Sequence, residues 1–112
     1  MQAARETKNP WLISKAQLAL AESLLESGDN EGALTNALDA QQVFARSGQK
    51  ASEWRALVTA SRASRRVGDE AKASEYKERA ASLLSELEKR WGADVYNLYL
   101  SRPDVQMARK QL

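Results

Sequence analysis

Four arginines close together carry the clearest polar chemistry in this sequence. Arg55, Arg62 and Arg66 follow one another at spacings of seven and four residues, the period of one helical stripe, and Arg65 lies beside it. Between residues 51 and 68 the only acid is Glu53, so four arginines against one glutamate make the segment locally +3. A guanidinium presents a planar fork of donors that grips carboxylates through charge-assisted hydrogen bonds. Lys15 and Gln17 are weaker polar candidates nearer the start. The same arginines also suit a solvated helix face, with cations placed favourably near a helix C-terminus.

Other chemistries find no foothold. The chain has neither cysteine nor histidine, which removes disulfides, thiol nucleophiles, Cys/His zinc sites and imidazole acid–base catalysis. Carboxylate pairs such as Glu22/Glu26 and Glu86/Glu88 read as surface charges, with nothing to drive their pKa values apart. The serines have no histidine to act as base, and no Ser-x-x-Lys element opens a catalytic framework. Glycines occur singly, so no phosphate-cradling loop forms. The expectation is a protein that is not an enzyme and takes no cofactor, metal or small-molecule substrate.

The charge balance is mild. Seventeen basic and fifteen acidic residues give +2; residues 1–50 hold five and six, and residues 51–112 hold twelve and nine. That is far from the pervasive basic stripe of a dedicated nucleic-acid protein. A weak, salt-sensitive nucleic-acid contact through the arginines is the least supported reading. No apolar run approaches the 18 residues of a membrane span, and the polar start lacks a secretory core. A soluble, cytoplasmic protein with no membrane partner is expected.

The arginines need elements to hold them, and the punctuation is helical throughout. Asn9-Pro10 reads as a cap followed by proline at the first helical position. Leu12, Ala16, Ala19, Leu20 and Leu24 then recur at helical spacing and predict one buried face. Ser27-Gly28-Asp29 offers a left-handed glycine past a helix end and a cap for the next helix, a tight reversal between antiparallel helices. A second helix over 30–46 carries Ala33, Leu34, Ala37, Leu38, Ala40, Val43 and Phe44, and Ser47-Gly48 ends it. Ser52 is a candidate cap for a third helix with Trp54, Leu57, Val58 and Ala60. Val67-Gly68-Asp69 repeats the earlier bend. A fourth helix over 70–90 presents Ala73, Tyr76, Ala80, Leu83, Leu84 and Leu87. Trp91-Gly92 closes it, a short segment 93–100 follows, and Ser101-Arg102-Pro103-Asp104 starts another helix. No stretch alternates as a strand would. The fold class is all-α.

Gly28-Asp29 and Gly68-Asp69 stand forty residues apart. At that offset Ala16 pairs with Ala56, Ala33 with Ala73, Ala40 with Ala80, Val43 with Leu83 and Phe44 with Leu84. Small residues seven apart let neighbouring helix backbones approach closely. Helix pairs joined by Gly-Asp, with alanine at the fifth and twelfth positions after the glycine, resemble tetratricopeptide repeats. The resemblance covers about residues 11–90. The spacing is longer than that family's period of about 34 residues. The proline between repeats is replaced by Ser47-Gly48-Gln49, and Trp54 lies three residues too far from Gly68 for the usual register. A long-helix variant reconciles these departures.

The resemblance implies a short α-solenoid of antiparallel hairpins forming one domain over 1–112. Repeat 1 would span about 11–48 and repeat 2 about 50–90, with capping helices over 93–112. Two repeats fall short of the three or so that usually stand alone. The last segments would then act as a third hairpin, or the chain pairs with itself, or it is a piece of a longer array. In the resembled family the first helix of each pair lines a concave groove. By that geometry Arg55, Arg62, Arg65, Arg66 and Lys15 would face a peptide or partner helix, acidic or ending in a carboxylate. Trp54, Phe44 and Tyr76 read as core. Trp91, Tyr96, Leu98, Tyr99 and Leu100 read as a block that folds back over the last hairpin, or else as an exposed docking patch. A non-catalytic protein–protein interaction module is therefore expected. The alternative is a structural element that dimerises through Trp11 or residues 96–100, and strict monomers at every concentration in sedimentation would exclude it.

Overall fold

The computed structural model describes residues 10–110, with side chains from residue 13 onward. The expected cap Asn9 and the side chain of Trp11 lie outside the described residues. Among the described residues six helices follow in order: α1 (Pro10–Ser27), α2 (Asn30–Arg46), α3 (Lys50–Arg66), α4 (Glu70–Trp91), α5 (Ala93–Leu100) and α6 (Pro103–Arg109). No strand occurs among the described residues. α1 packs on α2, α2 on α3 and α3 on α4, and α1 also touches α3.

The two Gly-Asp bends are the same device. Gly28 and Gly68 take φ of 94° and 90°, the left-handed region open to a residue without Cβ. Behind them the Asp29 N–H donates to the Leu24 carbonyl (2.9 Å) and the Asp69 N–H to the Ser64 carbonyl (2.8 Å), closing the preceding helices. Each aspartate side chain then caps the next helix: Asp29 Oδ1 accepts from the Gly32 N–H at 3.0 Å and Asp69 Oδ1 from the Lys72 N–H at 3.1 Å. Between them α3 starts differently from expectation. Its N-cap is Gln49, without a side-chain bond, and Ser52 lies one turn inside the helix. The Gln49 carbonyl already accepts from the Ser52 and Glu53 N–H groups (3.1 and 2.9 Å), so no hydroxyl cap is needed there.

The first three helices meet in layers of small residues. Leu18 of α1, Ala40 and Phe44 of α2 and Ala56 of α3 form one cluster; Leu25, Ala33 and Ala63 form another. Ala21, Ala37 and Ala60 belong to the main core between them. Descending through the layers, the α1 and α3 numbers rise together while those of α2 fall. α1 and α3 therefore run parallel, side by side, with α2 antiparallel to both. Alanine on both α2 and α3 in every layer lets those helices nest closely; α1 adds a leucine in the outer layers and Ala21 in the middle one.

The packing turns α1 relative to the expected face. Leu18, Ala21 and Leu25 are buried, Ala16 and Leu24 are half-buried, and Leu20 is 48% exposed. Leu18-Ala19-Leu20-Ala21 is apolar on every side, so periodicity alone does not choose; contact with both α2 and α3 does.

α3 is the central helix. Ten of its residues are buried, including the polar Glu53, Thr59, Ser61 and Ser64. Glu53 accepts a bond from Gln41 Nε2 at 2.8 Å, and Ser61 Oγ donates to the Ala73 carbonyl at 2.8 Å. Phe44, Trp54 and Tyr76 are all core. The C-terminal block folds back onto this core: Tyr96 and Val105 are buried, with Trp91, Tyr99, Leu100 and Ala108 packed alongside. Trp54 Nε1 donates to Tyr99 Oη at 2.8 Å, and the rings of Trp91 and Tyr99 meet edge to face at 5.0 Å. Val95 and Leu98 stay outside, 52% and 71% exposed.

The middle layer gives a direct test. Ala60→Leu forces a larger side chain between closely nested helices and should cost about 1–3 kcal/mol in denaturant unfolding. Ala71→Leu, on the exposed face of α4, should change stability by less than about 0.5 kcal/mol. Equal effects would contradict the close approach.

Candidate functional site

The parallel pair α1 and α3 presents a shared face, and ion pairs cross it in register. Arg55 Nη2 meets Glu22 Oε2 at 3.4 Å, and Arg62 Nη2 lies 3.9 Å from Glu26 Oε1. Glu22 and Glu26 are one turn apart on α1, and Arg55 and Arg62 two turns apart on α3, so the two stripes face each other.

Helix α6 lies across this face. Asp104 Oδ2 pairs with Arg55 Nη1 at 3.2 Å and with Arg102 Nη2 at 3.0 Å. Val105, the next residue, is 1% exposed and belongs to the main core. The crossing leaves a hollow on either side. One, of about 370 Å³, is bounded by Glu22, Glu26, Arg55, Val58 and Arg62 from the paired helices and by Met107 and Ala108 from α6. The other, of about 220 Å³, lies towards the start of α3 among Lys15, Leu18, Ser52, Arg55, Arg102 and Val105.

The five cations proposed from the sequence thus go to different places. Arg55 lines both hollows, Arg62 the larger and Lys15 the smaller. Arg65 points to the α3–α4 bend, where its Nε lies 3.7 Å from Glu70. Arg66 donates from Nη1 to the Leu25 carbonyl at 2.7 Å, satisfying a C-terminal carbonyl of α1. Gln17 turns to α2, with Nε2 3.4 Å from Asn36 Oδ1 and from Asp39 Oδ2. Sequence reasoning missed the acids of the face: Glu22 and Glu26 were read as surface charge, and Asp104 only as a residue favoured at a helix start. The matched spacing of acids on the first helix and arginines on the third was the available signal.

Arg55 is the junction of the three helices, with its side chain 27% exposed. Its guanidinium receives two carboxylates end-on, one at each terminal nitrogen, and the buried Nε–H has no acceptor. The site therefore binds carboxylates without using the full fork that a bidentate partner would engage.

Among the described residues no group of three or more acidic, histidine or cysteine side chains could hold a metal. None of the described helices is long and apolar enough to cross a membrane. Tyr96 and Tyr99 have pKa values raised above the ordinary phenol by burial, which for Tyr99 outweighs the pull of Trp54, Arg55 and Arg102. Compared with protein-family models, with curated proteins and with solved structures, the chain finds no match in any of the three.

Asp104 has a pH signature. Burial pushes its carboxyl up, but Arg102 and Arg55 together hold it below the ordinary 3.8. A depressed carboxylate adds stability above its unfolded pKa, and that stability is lost as pH falls through the folded value. The docking of α6 should hold from neutral pH down through 3.8 and weaken only below it. The methyl resonances of Val105 should titrate with a midpoint below 3.8; a midpoint at or above that value would contradict the two-arginine environment.

Proposed function

We propose that this chain is a non-catalytic protein–protein interaction module, a short tetratricopeptide-like stack of two helical hairpins. On this reading the shared face of α1 and α3 takes a peptide or partner helix carrying an acidic residue. Support comes from the repeated Gly-Asp bends and from the parallel first helices, which stand side by side as a groove-forming stack requires. The observation that carries the reading is the seating of α6: an acidic side chain on Arg55, with an apolar neighbour sunk into the core. A face that accepts such a segment from its own chain has the chemistry to accept one from another protein.

The arginines do not form a bare cationic surface. Glu22 and Glu26 stand opposite them, so simple attraction to acid gives way to selection of carboxylates set at the right spacing. Arg55 and Arg62 are the proposed contact residues. Arg65 and Arg66 hold the bend and the end of α1.

The test is an array of twelve-residue peptides probed with the full chain and with the Arg55→Gln/Arg62→Gln variant. Acidic, amphipathic peptides should be retained by the parent chain. The variant should lose them by about tenfold or more, the scale of one or two charge-assisted hydrogen bonds, with unchanged helicity by circular dichroism. Equal binding by both chains would remove the proposal.

A further inference from the structure

α6 is lightly held, as is α5, which buries Tyr96 alone. α6 is seven residues long and buries only Val105. Its Asp104 is 40% exposed and shared between Arg55 and Arg102, and Met107 is 70% exposed at the rim of the larger hollow. By contrast, α4 buries five side chains. The segment that links α6 to α5 is short and begins the helix with proline, whose fixed φ presets the first turn without an N–H to lose. Burying one valine and pairing one half-exposed carboxylate favours docking by roughly tenfold to a hundredfold. Such an element opens at a population within reach of a competing ligand.

We infer that α6 is an exchangeable, built-in occupant of the α1/α3 face, competing there with a partner segment of like chemistry. This rests on the reading of that face as a peptide site. Four side chains of α6 meet the two hollows: Asp104, then Val105, Met107 and Ala108, at one, three and four positions further on. They define the partner: a helical segment with an Asp or Glu followed by apolar residues at those offsets. Charge complementarity argues for it. Arg55 takes a carboxylate from α6 yet keeps its Nε–H unsatisfied, so a carboxylate better aligned to the guanidinium gains a bond that Asp104 does not make. While docked, α6 holds the face closed to weak ligands, and a partner must match or exceed the hold of its own tail.

The probe is a fluorescent peptide of residues 101–110, blocked at both ends, added in trans and followed by polarisation. The full-length Asp104→Ala/Val105→Ser variant, its own α6 released, should bind the probe at least about tenfold more tightly than the parent chain. Adding Arg55→Gln to that variant should abolish the gain. Equal binding by parent and variant overturns the competition and leaves the peptide-site reading intact. No binding by the folded variant overturns α6 as an occupant, and that reading then falls only if the peptide array also fails. Should the variant not fold, the parent chain still decides: saturating it with an acidic array peptide should raise amide exchange across 103–109 severalfold while α2 and α3 stay protected. Unchanged protection of 103–109 with peptide bound overturns the inference.

Discussion

The structure depends on α3 being approached closely from several sides at once. It lies against α1, α2 and α4, and the C-terminal block reaches its first turns through Trp54. Helices can crowd together in this way only where their contact positions are small. Ala56, Ala60 and Ala63 on α3 meet that need, and Ala33, Ala37 and Ala40 on α2 answer them at the same spacing, each completely buried. The seven-residue repeat of alanines is thus the physical root of the parallel pairing of α1 with α3.

That constraint has consequences for polarity. A helix surrounded so closely cannot put all its polar side chains in water, and α3 keeps Thr59 and Ser61 inside by returning their hydroxyls to backbone carbonyls. Glu53 is tolerated because Gln41 donates to it. Arg55 and Arg62 emerge along the edge beside α1, where Glu22 and Glu26 wait. Their position follows from the packing: once the alanines face α2 and Trp54 faces the C-terminal block, the α1 edge is what remains for long cationic side chains.

Much of the scaffold was legible in the sequence because its signals are local. Gly28-Asp29 and Gly68-Asp69 state both a left-handed bend and the cap after it, and the helices begin and end there. The core positions of α2 and α4 were legible for the same reason, their apolar stripes being narrow enough to have one orientation. α1 was not, since its run of leucine and alanine offers several apolar faces and a partner must choose among them. The site was half legible. Arg55 and Arg62 stand out by spacing, whereas the acids that answer them lie 33 to 49 residues away along the chain, and only tertiary packing brings them together. Arg66 shows the converse: its spacing places it on the stripe, but the Leu25 carbonyl at the end of α1 claims its side chain.

The parallel register of α1 and α3 can be measured directly, because a chain without cysteine accepts defined pairs cleanly. Cysteines placed at Glu26 and Arg62, or at Lys15 and Ser52, should be joined rapidly by a short bismaleimide, with the helix content preserved. A pair at Lys15 and Arg62 should not be, since about ten residues of helix separate Ser52 from Arg62, roughly 15 Å along the axis. Preferential joining of Lys15 to Arg62 would mean that the two helices run antiparallel or apart, and the shared face would not exist.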